Sequence, residues 1–395
     1  MQIRLSDHFT CKRLLRFTLP SVVTMIIASV YSVVDGLFVS NLVGSMALSA
    51  INIAFPVAMI IGSVGFMLGT GGSALVAKTL GEGKKELANQ YFSMLIYSMF
   101  IIGGILTALS LIFVRPIMRF AGASELLMED CVIYGAILLA GSIPFMLQVS
   151  FQNFFVVNEK PILGLVLSIA SGVTNMALDY VFIAVLKMGV AGAALATVMG
   201  YVVGGGIPLI YFAKKREYGL QLVKTKFYGK QLFQAASNGS SELMSNISAS
   251  LIGILYNIQL MKVIGESGVA AYSVMMYVDF AFLAAFLGFS SGSAPVVSYQ
   301  YGAGNYAELK SVFRKSVTII GITSIAMVTV SEAVSYPLSA FLSFTRTLLF
   351  RGGMVILLPL LLGLDGIWGT IIVAEGLGLI CSVSCLVRNK KKYHY

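Results

Sequence analysis

The sequence predicts an all-α polytopic membrane protein made of two related halves, and three observations lead to this prediction. Hydrophobic residues make up 57% of the 395 residues and charged residues only 11%, whereas a soluble domain has about 25% charged residues. Apolar stretches long enough to cross a bilayer recur along the whole chain. The first half of the sequence is also repeated in the second half. The net charge of +10 does not indicate a nucleic-acid partner, because Lys and Arg lie between the apolar stretches.

Eleven apolar stretches are predicted to be membrane-spanning helices. A helix satisfies its own backbone hydrogen bonds, which is what lipid requires of an open structure. Six spans fall in an N-terminal lobe (1–213), and a basic connector (214–231) leads to a C-terminal lobe (232–395) with five. The predicted spans are 17–40, 51–76, 91–114, 131–157, 162–186, 188–213, 232–261, 268–300, 316–342, 347–364 and 366–387.

The loops between the spans predict how the chain is oriented. Lys and Arg concentrate in alternate loops, beginning with the N-terminal segment that carries Arg4, Lys12, Arg13 and Arg16. Positive residues favour the cytoplasmic side of a membrane. We therefore expect a multi-pass protein of the plasma membrane with a cytoplasmic N-terminus.

The repeat becomes visible when the first half is shifted by 221 residues, which aligns Gly71 with Gly292 and Gly81 with Gly302. The register fails after Phe341 and resumes weakly at a shift of 177, so 44 residues, or about one helix, are missing from the second lobe. Losing one helix reverses the orientation of everything downstream. Parallel repeats around a central site are typical of transporters, and the break leaves an inactive, truncated transporter as an alternative to a working exporter.

Two carboxylates stand alone in apolar spans of the first lobe. Asp35 is the only charge in the first span and Asp179 the only charge in the fifth. A carboxylate at a membrane-helix centre costs about 2.5–3.5 kcal/mol and is a functional site by default. Asn175 lies one turn before Asp179 and therefore on the same helix face. Two neighbouring carboxylates in a low dielectric hold a proton between them more readily than isolated ones.

The sequence resembles the multidrug and toxic compound extrusion (MATE) family through nearly all of its length. The motifs that carry the resemblance are VYSVVDGLFVSNLVG in the first span, TNMALDYVFI at 174–183, GVAGAALATV at 189–198 and GLDGIWGTIIVAE at 363–375. The resemblance implies two helical lobes in a V shape around a drug-sized cavity. It also implies a monomer in membrane lipid that exports small organic compounds, often cationic, in exchange for protons or sodium. No other cofactor is expected.

The resemblance also implies the residues of the site. The family's cation site in the N-terminal lobe falls here on Asp35, Asn175, Asp179 and Thr197, and its helix-bending proline falls on Pro20. Proline lacks an N–H and loosens a helix, although a simple packing kink remains an alternative for Pro20.

The second lobe offers fewer candidates. Glu242 is the only match there to the acids of the sodium-coupled branch. Asp279 is a further lone acid that we expect to face the cavity and contact a cationic substrate.

Two other function classes stay open on the sequence. A flippase for lipid-linked sugars would need basic residues in its cavity, and no Lys or Arg falls in the middle of a first-lobe span. An intramembrane enzyme is suggested only by the GxSxG pattern at 288–292. The histidines that such an enzyme needs lie outside the spans, at His8 and His394, and a nucleophile elbow also needs a strand.

Overall fold

The computed structural model of the protein describes residues 3–215, 219–263 and 266–334. The break in the repeat after Phe341 and the last two predicted spans, 347–364 and 366–387, lie outside these residues. The chain divides into two compact units, Met1–Lys315 and Ser316–Tyr395. The predicted boundaries of the two lobes stay a prediction.

The described residues form twelve α-helices and one π-helical segment, with no strand among them. The helices are α1 Cys11–Leu42, α2 Ser45–Gly81, α3 Lys85–Ile112, α4 Val114–Phe120, α5 Met128–Ala140, α6 Ser142–Val157, α7 Pro161–Asp179, α8 Gly189–Ala213, α9 Gly229–Asn238, α10 Ser240–Val263, α11 Glu266–Gly302 and α12 Tyr306–Val334, and the π-helical segment Tyr180–Val185 extends α7. The predicted all-α fold is confirmed.

Among the described residues, five helices are long and apolar enough to cross a membrane, and six if the bent pair α5–α6 counts as one span. These six coincide with the six spans predicted for the first lobe. The chain can place them in lipid because each is longer than the roughly 20 residues that a bilayer core requires.

Two predicted spans are not the single helices we expected. The span 131–157 bends by 54° between α5 and α6, at Gly141, where α8 approaches so closely that a Cβ atom would lie 2.5 Å from the Val198 side chain. The span 232–261 begins earlier and is interrupted at Gly239, between α9 and α10. The backbone of Met67 on α2 lies within 3.0 Å of where a Gly239 Cβ atom would be. Both breaks therefore occur at a glycine whose missing side chain lets a neighbouring helix pack closely.

The helix boundaries reproduce the sequence repeat. Shifting α2 by 221 residues gives the bounds of α11, and both helices contain 37 residues. The same shift places the first residue of α3, Lys85, on the first residue of α12, Tyr306. It also places α1 over α9 and α10, with Thr18 on the break at Gly239. The two halves therefore share a helix pattern, but α1 runs continuously, through Pro20, where its counterpart is broken.

The segment before α1 is pinned to the ends of other helices. Leu5 and Phe9 are buried, and the Leu5 carbonyl accepts a hydrogen bond of 2.8 Å from the Gln300 side chain on α11. The Phe9 N–H donates to Glu308 Oε1 on α12 at 2.8 Å. The Leu5 N–H donates to Glu159 Oε1 at 2.8 Å, in the turn before α7. This N-terminal strap, residues 5–9, therefore joins first-half and second-half helices.

Candidate functional site

The buried face of α7 is made only of small and polar residues, although α7 is an apolar membrane helix. Its outer face carries Ile162 and Val173, whose exposed fractions are 66% and 58%. Small residues let helices approach closely within a membrane. The buried residues follow helical spacing and are Gly164, Ser168, Ser171, Gly172, Asn175 and Asp179.

Close helix contacts fix this face against α1, α6 and α8. The ring of Tyr31 on α1 lies against Gly172, where a Cβ atom would be only 2.6 Å from the ring. The Ser171 hydroxyl donates to the Gly200 carbonyl on α8 at 2.7 Å. Gln148 Nε2 on α6 donates to the same Ser171 hydroxyl at 3.2 Å. These contacts hold Asn175 and Asp179 where α7 meets three other helices.

Asp35 and Asp179 meet at this junction. Asp179 has no exposed surface, and its carboxyl group and that of Asp35 are close enough to share a side-chain hydrogen bond. No donor among the described residues reaches Asp35 Oδ1 or either Asp179 carboxylate oxygen. Two ionised carboxylates cannot donate to each other, and unsatisfied buried charges are expensive. A shared proton or a small cation would satisfy both groups.

Asn175 adds an amide to the same place. Its side chain is 7% exposed, and its Nδ2 atom has no hydrogen-bond acceptor among the described residues. The amide can present either its N–H groups to a carboxylate or its oxygen to a cation. The predicted pairing of Asn175 and Asp179 on one buried face therefore agrees with their positions.

The other predicted site residues lie farther from the acid pair or have no described contact with it. The Thr197 hydroxyl donates to the Ala193 carbonyl within α8 at 3.0 Å. Pro20 is buried on α1, 15 residues before Asp35, which is about 22 Å along a helix. Glu242 is half-buried in the first turn of α10. Asp279 belongs to α11, and its side chain lies outside the described residues.

The structure adds two tyrosines that the sequence analysis did not single out. Tyr201 on α8 lies near Tyr31 and Asp35, and its ring packs on Phe145 with a centroid separation of 4.8 Å. Spacing offered a signal for both, because Tyr31 precedes Asp35 by four residues and Tyr201 follows Thr197 by four. Residues four apart share a helix face.

The GxSxG pattern at 288–292 is a helix-packing feature. It lies inside α11, where a Cβ atom on Gly288 would lie 2.5 Å from Val22 Cα and one on Gly292 would lie 3.1 Å from Thr18 Cα. Both glycines therefore let α11 approach α1. No strand–turn–helix is present in this part of the described chain, so the pattern is not a nucleophile elbow.

Apolar spanning helices, two halves of one helix pattern and buried acids on spanning helices together define a polytopic membrane protein of the transporter class. A family model described as MatE matches residues 20–181 and 243–364. The chain therefore belongs to the MatE family, which confirms the resemblance seen in the sequence. Members of this family are transporters, and the chain is not an enzyme.

Individual relatives agree with this assignment. The chain is 25% identical over 328 residues to the multidrug export protein MepA of Staphylococcus haemolyticus, covering 80% of this chain and 69% of that protein. It is 24% identical over 319 residues to MepA of Staphylococcus aureus strain N315, covering 79% and 69%.

Solved structures show the same fold. The MATE multidrug transporter DinF-BH, solved in complex with a ligand, superposes with a TM-score of 0.78 at 25% identity and covers 100% of this chain and 99% of that chain. A MATE family transporter of the MOP superfamily in an outward-facing conformation superposes with a TM-score of 0.75 at 22% identity, covering 95% and 94%.

Proposed function

We propose that the protein is a secondary multidrug exporter of the plasma membrane that antiports protons or sodium against small organic, often cationic, compounds. The observation that carries the proposal is the pair of acids, Asp35 and Asp179, buried together on two membrane helices with unsatisfied oxygens. The multidrug export activity named for the MepA relatives and for the transporter DinF-BH supports drug-like substrates. In this proposal the protein works as a monomer in lipid and binds no nucleic acid.

Coupling follows from the charge of the acid pair. Without a bound cation, two ionised carboxylates repel each other across the contact between α1 and α7. A proton or sodium ion between them removes the repulsion, so the closed contact of α1 with α7 binds the cation better than a separated one. A ligand shifts a conformational equilibrium only through such a difference in affinity. Asn175 and Thr197 would supply neutral oxygens to sodium, a cation for which oxygen ligands suffice, and loosening at Pro20 would let α1 move.

The proposed coupling does not depend on the two acids of the second lobe. Glu242 and Asp279 would contact cationic substrates or a second coupling ion. Nothing among the described residues specifically favours the alternative function, a flippase for lipid-linked sugars.

The decisive experiment is dye efflux in reconstituted vesicles under an imposed proton or sodium gradient. Asp35→Asn and Asp179→Asn should each abolish gradient-driven export while the protein still inserts and stays monodisperse. Glu125→Gln is the matched control, because it also removes one negative charge but at a side chain that is 82% exposed and lies in a loop. Full gradient-driven export by both aspartate variants would refute the proposal, and the gradient that drives export identifies the coupling ion.

A further inference from the structure

α2 and α11 cross in backbone contact at their C-terminal ends, where each helix finishes in a glycine. A Cβ atom on Gly81 would lie within 3.0 Å of the Tyr299 carbonyl oxygen, and one on Gly302 within 3.0 Å of the Lys78 carbonyl oxygen. Real Cβ atoms essentially never approach so closely, and a helix backbone cannot swing aside as a side chain can. We call Lys78, Gly81, Tyr299 and Gly302 the glycine crossing.

The glycine crossing is symmetric under the sequence repeat. The shift of 221 residues places Gly81 on Gly302 and Lys78 on Tyr299. Exchanging the two halves therefore turns the contact of Gly81 with Tyr299 into the contact of Gly302 with Lys78. Such a contact is isologous, as at a two-fold axis, where the same patch serves both partners. A local pseudo-two-fold axis passes through the glycine crossing.

A second pair of contacts follows the same symmetry farther along both helices. A Cβ atom on Gly71 would lie 2.6 Å from the Gly239 nitrogen, and one on Gly292 would lie 3.1 Å from Thr18 Cα. The shift places Gly71 on Gly292 and Thr18 on Gly239. The close contact between the halves therefore extends about 15 Å along α2 and α11 from the glycine crossing.

The glycine crossing lies at the basic C-terminal end of α2, which carries Lys78 in its last turn. The loop after α2 contains Lys84, and the loop charges predict that this side is cytoplasmic. The Lys78 ammonium lies over the Tyr301 ring, 5.5 Å from its centroid, and 3.9 Å from a Glu82 carboxylate oxygen. A cation–π contact between α2 and α11 therefore accompanies the backbone contact.

We infer that the glycine crossing is the gate that closes the substrate path at this end of the molecule, and that it closes because Gly81 and Gly302 have no side chains. The inference rests on the proposed antiport, because a secondary transporter gives its central site access to one side of the membrane at a time. The two glycine contacts share one pseudo-axis, so separating α2 from α11 breaks both together.

The test measures the opening directly. Spin labels at Glu86→Cys and Ala307→Cys, in a chain without its native cysteines, report the separation in lipid nanodiscs. These positions are exposed, equivalent in the repeat, and lie in the first turns of α3 and α12. Gly81→Ala and Gly302→Ala should each shift the distances to longer values and raise the open-to-closed ratio at least tenfold.

The matched control is Gly206→Ala, because a Cβ atom there would meet nothing within 4 Å; its distances should equal those of the parent. The double variant should open at least as much as either single variant, since both added Cβ atoms strain the same closed contact. Unchanged distances in both single variants, or a double variant that is more closed than either single variant, would overturn the inference. If one variant fails to insert, the other tests the same contact by symmetry.

The distances are read without any ion gradient or substrate. Export that persists in the Asp35→Asn variant would therefore refute the proposed coupling and leave the gate measurement intact. Unchanged label distances would refute the gate and leave the coupling intact.

Discussion

Removing the charge of Glu308 should loosen the N-terminal strap. The Glu308 side chain is 8% exposed and receives the Phe9 N–H at 2.8 Å. His8 Nδ1 lies 2.6 Å from its other oxygen. Glu308→Gln keeps an acceptor of the same shape but makes it neutral, so the strap should stay docked but open more often.

The size of the effect follows from the Phe9 hydrogen bond. A hydrogen bond to a charged group contributes about 1.5–3 kcal/mol and a neutral one about 0.5–1.5 kcal/mol. The substitution therefore costs about 1–1.5 kcal/mol, or a roughly 5- to 10-fold rise in the opened fraction. His8 adds little, because its side chain is 67% exposed and exposed ion pairs are worth about 0–1 kcal/mol.

Amide hydrogen exchange measures this opening at the Phe9 N–H. We expect exchange there to accelerate roughly 5- to 10-fold in Glu308→Gln. Glu86→Gln is the matched control, since Glu86 is also in the first turn of a helix but is exposed and outside the strap. Equal Phe9 exchange in Glu308→Gln and the parent protein would refute the assigned role of the charge.

Three further predictions concern other parts of the chain. Burial raises the pKa of the Glu159 carboxyl above its ordinary value, and the Leu5 N–H that the strap donates lowers it; because this N–H binds the ionised carboxylate more strongly than the protonated acid, the Leu5 contact should weaken as pH falls through the raised pKa. Leu5 exchange, corrected for intrinsic rates, should follow this course, and Glu159→Gln should abolish the dependence. Gly172→Val should push the valine side chain against the Tyr31 ring on α1, destabilise the folded protein by about 1–3 kcal/mol and lower export at least tenfold. Gly206→Val is the control: Gly206 faces open space, so export should be unchanged. Equal export by the two variants would contradict this prediction. If one helix is missing from the second lobe, as the break in the repeat predicts, a cysteine at Lys390 should react with an impermeant reagent outside intact cells; a tail protected from that reagent would contradict the predicted reversal of orientation.

The sequence by itself determined the helical class and the first-lobe spans, and it singled out the two acids of the candidate site. Lipid leaves a chain of apolar stretches little choice but helices, and a lone carboxylate in such a stretch is conspicuous. The repeat was also readable, because the aligned glycines kept their spacing, and the equal lengths of α2 and α11 agree with it. The i, i+4 spacing was enough to place Asn175 and Asp179 on one face of their helix.

Only the tertiary structure decided which glycines lie in close contact with another helix and which side chains lie near the two acids. Gly104 and Gly81 are both glycines in long apolar helices, yet a Cβ atom on Gly104 would meet nothing within 4 Å, whereas one on Gly81 would meet a carbonyl oxygen of another helix. A residue without a side chain carries no pattern that reveals its neighbours. The contact of Gln148 with Ser171 could not be predicted either, because contacts between helices depend on crossing points and rotations that periodicity along one helix does not encode.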